Sequence, residues 1–136
     1  MDVPEALDFL RSNHRAVLAT LRRDGSPQMS PVTAVVDAEG RVAVSSRETA
    51  IKTRNLRRSP RAWLCVFPDG FYGPWVQVSG PVEVVSLPEA MDLLVDYYRR
   101  AAGEHPDWED YARAMRSEQR VVLRMTVEAA GPDVSG

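Results

Sequence analysis

The sequence predicts a small antiparallel β-barrel of six strands with a few peripheral helices. Six apolar segments have the length of strands, short turns join the first three of them, and only a few segments have the pattern of helices. The chain has 136 residues and contains no linker, repeat or low-complexity tract. We therefore expect a single domain over residues 1–136.

The first third of the chain predicts one helix and three strands in a meander. Residues 4–12 carry a proline at the start, acids in the first turn and four apolar residues, a pattern typical of a short helix. Asp24-Gly25 and the stretch DAEG at 37–40 are turn signals. The predicted strands that they separate cover 14–21, 27–36 and 41–46.

The middle of the chain predicts a basic helix and a buried strand. Ser45 or Ser46 can cap this helix, with Glu48 in the capping-box position, and Pro60 ends it after about Ser59. The apolar run RAWLCVF at 61–67 predicts the strand that follows.

The last part predicts two strands and two helices. Residues 75–85 alternate as a strand with a bend or bulge near Gly80-Pro81. The remaining predictions are helices over 87–104 and 106–117, a strand over 119–130 and a loose tail over 131–136.

Composition excludes several classes of protein. A formal net charge of −2 argues against a nucleic-acid binder, which needs a basic face. No apolar run approaches the roughly 18 residues of a membrane span, and the N-terminus is acidic where a signal peptide is basic. The single cysteine, Cys65, fits a reducing compartment. We expect a cytoplasmic protein without nucleic-acid or membrane partners.

The common catalytic and metal motifs are absent. Two histidines and one cysteine cannot form a zinc site of the usual spacing. There is no G-x-G-x-x-G, P-loop or G-x-S-x-G, and Cys65 lies mid-strand, where an inert thiol is expected. If the protein is an enzyme, a bound cofactor supplies its chemistry.

One segment concentrates positive charge. Residues 45–62 hold the only lysine, Lys52, and the arginines Arg54, Arg57, Arg58 and Arg61. Such a segment is either a solvated helix face or an anion site. The second interpretation gains from Ser45, Ser46 and Thr49 near the helix start, where backbone N–H groups are free, and from Lys52 one turn further on.

Three stretches together resemble one family. KTRNLRRSPRAWLCV, DGSPQMSPV and GEHPDWEDYARAM are similar to segments of the split-barrel flavin and deazaflavin oxidoreductases, relatives of pyridoxamine 5′-phosphate oxidase, and in particular of their actinobacterial branch that uses coenzyme F420. The resemblance covers roughly residues 5–130. It implies a six-stranded split barrel of the FMN-binding type.

The resemblance also implies a homodimer with two cofactor sites at its interface. The cofactor ring would lie against the strand residues Gln28, Met29, Ser30, Pro31 and Val32. The phosphate would be held by Ser45, Ser46, Lys52 and Thr53, with Asn55 nearby and Arg57 in a cationic strip. Trp75, from the same subunit or from the other one, would form part of the pocket wall.

Each assignment has a structural alternative. Gln28 and Ser30 could be ordinary polar strand residues, and Pro31 could mark an edge or a bulge. Trp75 could belong to the core, Asn55 could brace the end of the helix, and Arg57 could be solvated or ion-paired.

The resemblance favours F420 over FMN as the cofactor. FMN ends in a phosphate monoester, whereas F420 continues past a phosphodiester into a polyglutamate tail, which suits an extended cationic strip. The implied reaction is hydride transfer between C5 of the deazaflavin and a conjugated small molecule. No residue stands out as catalytic. The alternatives are an FMN-dependent oxidase, a non-catalytic F420 or haem carrier, and a scaffold with a solvated basic helix.

Overall fold

The computed structural model describes residues 1–131, so all but the first residue of the predicted loose tail lies outside the described part. Within it, the helices and strands follow the predicted order. In chain order they are α1 Val3–Ser12, β1 Arg15–Leu21, β2 Pro27–Thr33, β3 Val35–Val36, β4 Val42–Arg47, α2 Ile51–Arg58, β5 Arg61–Phe67, β6 Val76–Val85, α3 Ala90–Ala102, α4 Trp108–Ser117, β7 Arg120–Met125 and β8 Ala129–Gly131.

The strands form one antiparallel sheet that curls back on itself. Its order is β2-β1-β5-β6-β7-β4-β3, with β8 added beside β6. The first and last strands of this order, β2 and β3, are separated by Ala34 alone. The chain itself therefore joins the two ends of the sheet, and the predicted antiparallel split-barrel class is confirmed.

Eight strands replace the predicted six because two predicted strands are interrupted. The predicted strand 27–36 changes partner at Ala34, whose N–H bonds the carbonyl of His14; β2 pairs with β1, whereas β3 pairs with β4. The predicted strand 119–130 divides into β7 and β8, which both pair with β6. The strands of the predicted meander are thus divided: β1 and β2 lie at one end of the sheet, and β3 and β4 lie at the other.

The interruption between β7 and β8 lies opposite Gly80, where a bend was predicted. The Thr126 N–H bonds the Pro81 carbonyl, and the Glu128 N–H bonds the Ser79 carbonyl. A Cβ on Gly80 would lie within 1.9 Å of the Thr126 carbonyl oxygen. Glycine is therefore required here by the close approach of the bulged strand.

Two apolar clusters hold the fold together. The first fills the barrel and includes Leu18, Val44, Leu64 and Leu123 together with Leu56 from α2. The second lies between the outer face of the sheet and the helices α3 and α4. Its buried members are Val35, Ala43, Ala90, Leu94, Tyr111 and Val122.

The predicted start of the basic helix is wrong. Ser45 and Ser46 belong to β4, where they pair with Val122 and Val121 of β7, and α2 begins only at Ile51. Its N-cap is Ala50, which makes no side-chain capping bond. The capping signal at residues 45–48 is overridden because strand pairing satisfies the backbone first.

The GEHPDW stretch forms the turn between α3 and α4. Asp107 caps α4 by accepting from Asp110 N, and its own N–H donates to Nδ1 of His105. Glu104 accepts from Trp108 Nε1 at 3.2 Å and pairs with Arg99 at 2.9 Å. This motif is thus explained by the packing of the two helices.

Candidate functional site

The barrel interior leaves no room for a ligand. The cavity among its core side chains has a volume of about 10 Å³, which is no more than a single water needs. A bound molecule must therefore lie on the outside of the barrel or between strands.

A gap opens between β2 and β4. The two strands diverge from the Ala34 bend, and β3 covers β4 only at Val42 and Ala43. Beyond these two residues, no strand within residues 1–131 pairs with this edge of β4, and the sheet likewise ends at β2. Helix α2 contacts β1, β4 and β6 at one end of the barrel. We call this gap between β2 and β4 the split.

The free edge of β2 exposes backbone groups to the split. Pro31 has no N–H and lies opposite Val17 in β1, so this pair is not hydrogen-bonded. The backbone groups of residues 29, 31 and 33 consequently point away from β1. The side chains of Met29 and Pro31 are exposed, that of Met29 by 64%. The sequence resemblance assigns the backbone of residues 28–32 to the cofactor ring, and of these only Met29 and Pro31 direct their backbone groups away from β1.

Ser30 faces the other way. It lies opposite Leu18, a core residue, and cross-strand partners share one face of a sheet. Its Oγ is buried and has no hydrogen-bond partner in the described structure. The half-buried Val32 packs against the same core. The side chains of Ser30 and Val32 thus point inward, and their backbone groups point toward β1, so neither residue presents a polar group to the split.

Tyr97 bridges the narrow end of the split. Its hydroxyl donates to the Thr33 carbonyl at 2.8 Å. Burial raises the pKa of Tyr97, against the opposing effects of a hydrogen bond from the Ser45 backbone and of the charge of Arg120. The phenol therefore keeps its proton in the neutral range.

Ser46 and Thr53 bind each other. The Thr53 hydroxyl donates to Ser46 Oγ at 2.9 Å, and both side chains are buried. The bond joins α2 to β4 beside the split. Both residues were predicted phosphate ligands, and that role stays a prediction.

Asn55 braces the end of α2 against β1. Its Nδ2 donates to Thr20 Oγ1 at 3.1 Å, and its Oδ1 accepts from Arg58 at 3.0 Å. The Thr20 hydroxyl is in turn 3.4 Å from Gln28 Oε1. This network joins two predicted site residues, Asn55 and Gln28, through a buried threonine.

Arg57 is neutralised within the chain. Its guanidinium reaches both oxygens of Glu48 at 2.7 and 2.6 Å and Ser86 Oγ at 2.8 Å. The bonds that Glu48 accepts from Arg57 and then from the Ser86 hydroxyl lower the pKa of its carboxyl. Arg58 donates to the Leu21 carbonyl, and Arg61 pairs with Glu128. Three of the four arginines of the predicted strip thus already bind acceptors of the chain.

Lys52 has no counter-ion. The side chain is half-buried on the first turn of α2, and it forms no hydrogen bond or ion pair within residues 1–131. Burial, and then the charge of Arg120, lower the pKa of its ammonium. A half-buried cation beside another cation is a position where an anionic ligand would be stabilised.

Trp75 lies away from these residues. It directly precedes Val76, which pairs with Val66 at one end of the β5–β6 pair. Helix α2 adjoins the opposite end of this pair, where Arg61 lies opposite Pro81. The two ends are five residues apart, or about 16 Å of strand. Trp75 is half-buried. A single chain therefore does not bring Trp75 and Lys52 into one pocket.

Tyr97 and Arg120 are residues that the sequence interpretation missed. The pairing of β4 with β7 places Arg120 opposite Arg47, five residues before Lys52, and the charge of Arg120 lowers the pKa of Lys52 after the larger effect of burial. The alternation in QRVVLRM places Arg120 and Arg124 on one face, but only the register of β7 shows which strand that face meets. Tyr97 gives no comparable signal, because it is one of two adjacent tyrosines in α3.

Residues 1–131 contain neither a cluster of metal ligands nor a membrane-spanning helix. No three His, Cys, Asp or Glu residues in that range are placed to hold a metal ion. No helix in the same range is both long and apolar enough to cross a membrane.

The curled sheet, with a split beside a basic helix, defines a split-barrel protein. A family model described as pyridoxamine 5′-phosphate oxidase matches residues 3–131. The chain belongs to the pyridoxamine 5′-phosphate oxidase family.

Solved structures share the fold over nearly the whole chain. The conserved hypothetical protein Rv2991 from Mycobacterium tuberculosis is 26% identical, with a TM-score of 0.75 over 100% of this chain and 92% of that one. A protein named F420 reductase is 22% identical, with a TM-score of 0.70 over 91% of this chain and 94% of that one. A candidate pyridoxamine 5′-phosphate oxidase from Listeria innocua is 17% identical, with a TM-score of 0.67 and 95% coverage of each chain.

Proposed function

We propose that this chain is an F420-dependent oxidoreductase that acts on a conjugated small molecule. The observation that carries the proposal is Lys52, a half-buried ammonium with no anion within residues 1–131 to balance it. A ligand phosphate would supply that anion through a charge-assisted hydrogen bond.

The residues around the split fit such a cofactor in two places. Lys52 would hold its phosphate, and the outward backbone groups of Met29 and Pro31 would meet the polar edge of its ring. The side chains of Ser46, Thr53 and Asn55 would support Lys52 by fixing α2, since their hydroxyl and amide groups already bind within the chain.

Bound F420 supplies hydride transfer at C5 of its deazaflavin ring. The protein's own groups orient the ring, exclude water and hold protons. Tyr97 holds its proton at Oη, since burial raises its pKa, and it fixes the narrow end of the split by donating to Thr33. The exposed side chains of Met29 and Pro31 offer an apolar surface to the ring face.

The distribution of free cations favours F420 over FMN. A phosphate monoester such as FMN is best held by a compact cluster of cations, but Arg57, Arg58 and Arg61 are engaged within the chain. Lys52 and the exposed Arg54 have no partner within residues 1–131, and side chains two residues apart on a helix point to different sides. A compact phosphate monoester would contact only Lys52, whereas an extended anion would reach beyond it.

We also propose that the protein works as a homodimer. The outer face of β1, β2 and β5 carries Val17, Ala19, Met29, Trp63 and Cys65, all of them exposed or half-exposed. Helices α3 and α4 pack on the other part of the sheet. A second copy on this face would cover the apolar surface and could bring its Trp75 to the split.

The test is a fluorescence titration of the protein with F420 and with FMN. We expect F420 to bind at micromolar concentration or tighter and FMN to bind weakly. The opposite preference would assign the chain to FMN-dependent oxidation, and binding of neither cofactor would contradict the proposal.

The Lys52→Ala variant tests the site itself. It should weaken F420 binding by about 1.5–3 kcal/mol, the usual contribution of a hydrogen bond to a charged group. Arg11→Ala is the matched control, because Arg11 is an exposed cation near the end of α1, where it pairs with Asp8 of the same helix. Equal affinities in the two variants would remove Lys52 from the site.

A further inference from the structure

A second cavity lies outside the split. It has a volume of about 310 Å³ and lies between the turn that leads into α2 and the turn that leads into β7. This volume is enough for a small ligand or for one branch of a larger one. It is lined by Glu48, Ser86, Leu87, Arg116, Gln119 and Arg120. We call it the Arg116 cavity.

The two turns that form the cavity are fixed to each other. The Glu48 N–H donates to the Gln119 carbonyl at 2.9 Å. Gln119 has a φ of 53°, a left-handed conformation that is uncommon outside glycine. Its N–H bonds the Arg116 carbonyl at the end of α4. The cavity walls are therefore held in place without a ligand.

The acidic wall of the cavity is already balanced. Glu48 accepts from Arg57 at 2.6 Å and from the Ser86 hydroxyl at 2.6 Å. The pair of Glu48 and Arg57 contributes no net charge. A cation in the cavity would have to compete with Arg57 for this carboxylate.

The basic wall carries a surplus of charge. Arg47 and Arg120 share one carboxylate, Glu118, at 3.2 and 2.8 Å. The Arg116 side chain is exposed and has no ion pair within residues 1–131. Burial and then repulsion by Arg120 lower the pKa of the Lys52 ammonium, so Lys52 adds to the positive charge around Arg120. Glu118 thus balances only one charge of the Arg47 and Arg120 pair, and Arg116 has no carboxylate within residues 1–131 to balance it.

We propose that the Arg116 cavity is an anion-binding site in which Arg116 and Arg120 hold a carboxylate or phosphate group. Guanidinium groups bind such anions through paired N–H bonds, and Arg120 keeps the geometry for it because Glu118 orients its side chain. The anion comes either from the acidic tail of a cofactor whose phosphate is at Lys52 or from an anionic substrate. The site itself does not depend on the proposed F420 function.

The test uses citrate and inorganic phosphate as probes of the intact protein. Their binding is followed by NMR at the arginine Nε–H signals, at low ionic strength because salt screens exposed charges. We expect saturable shifts of the Arg116 and Arg120 signals. Arg116→Ala should weaken citrate binding about tenfold, a loss of about 1.4 kcal/mol. Arg113→Ala is the matched control, since Arg113 lies on the same helix and pairs with Asp110.

Shifts that do not saturate, or equal citrate affinities in the Arg116→Ala and Arg113→Ala variants, would overturn the proposal, whatever the result with F420. Given saturable binding, competition identifies the source of the anion. Displacement of citrate by F420, but not by the deazaflavin without its phosphate and tail, would assign the site to the tail. Displacement by neither would assign it to a substrate.

Discussion

The hydroxyl of Thr53 donates to the hydroxyl of Ser46 across 2.9 Å, in a position where neither side chain reaches solvent. The bond joins the first turn of α2 to the end of β4, and Lys52 precedes Thr53 directly. The position of the unbalanced ammonium of Lys52 therefore depends on a buried bond between two residues predicted as phosphate ligands.

Thr53→Val should destabilise the protein by about 1–3 kcal/mol, because the variant keeps the shape of the side chain but deprives the buried Ser46 hydroxyl of its partner. Urea denaturation measures this change. The double variant Ser46→Ala/Thr53→Val should lose less stability than the two single variants lose in total, since it removes both polar groups. Thr49→Val, at an exposed position in the preceding turn, should change stability by less than about 0.5 kcal/mol.

The affinity for an anionic ligand should begin to fall at a lower pH than it would if Lys52 had the pKa of an ordinary lysine. The pKa of Lys52 lies below its usual 10.5, through burial and then the charge of Arg120, and only the ammonium form attracts an anion. Binding should in turn raise this pKa, because an anion favours the charged form.

Titration of F420 binding between neutral and strongly alkaline pH measures this effect. The Lys52→Arg variant keeps its charge over the whole range and so separates the titration of Lys52 from that of the ligand. The same pH profile in both proteins would show that the Lys52 ammonium is not a ligand.

Gly80→Ala should destabilise the fold by about 3 kcal/mol or more, because the new methyl group would overlap the Thr126 carbonyl oxygen and displace the bulged strand. Thermal unfolding provides the measurement. Gly70→Ala is the control, since a Cβ there meets no atom within 4 Å, and it should be close to neutral. Equal melting temperatures of the Gly80→Ala and Gly70→Ala variants would mean that the bulged strand can shift without a loss of stability.

Met29→Asp should convert the proposed homodimer to a monomer. Met29 is 64% exposed on the face proposed for the second copy, so a charge there costs the monomer little but would be desolvated in the dimer. Analytical ultracentrifugation measures the oligomeric state. Glu39→Gln, at an exposed position in the β3–β4 turn, should leave the state unchanged. A wild-type monomer, or a Met29→Asp dimer, would contradict the proposed interface.

Local signals predicted most of the secondary structure. The turn at Asp24-Gly25 forms as expected, with Gly25 at a φ of 85° and the Asp24 carboxylate accepting from Ser26. The strand RAWLCVF is found as β5 over the predicted residues 61–67. These elements follow from turn chemistry and apolar patterns, which act between near neighbours in the chain.

The start of α2 could not be predicted in this way. Ser45, Ser46 and Glu48 have the pattern of a capping box, yet the two serines pair with β7, about 75 residues later in the chain. The strand hydrogen bonds satisfy more backbone groups than a helix cap could, so these residues form β4 and not the start of α2. The same pairing places Arg120 opposite Arg47, five residues before Lys52.

The sequence by itself determined the strands, the turns, the antiparallel class and the presence of a basic segment, because each depends on residues close together in the chain. Only the tertiary structure decided which of those basic side chains remain free. Arg57 is balanced by Glu48 and Arg61 by Glu128, while the half-buried Lys52, whose pKa burial and the charge of Arg120 lower, has no anionic partner among residues 1–131. Charge balance depends on contacts between distant residues, and the register of the strands sets those contacts.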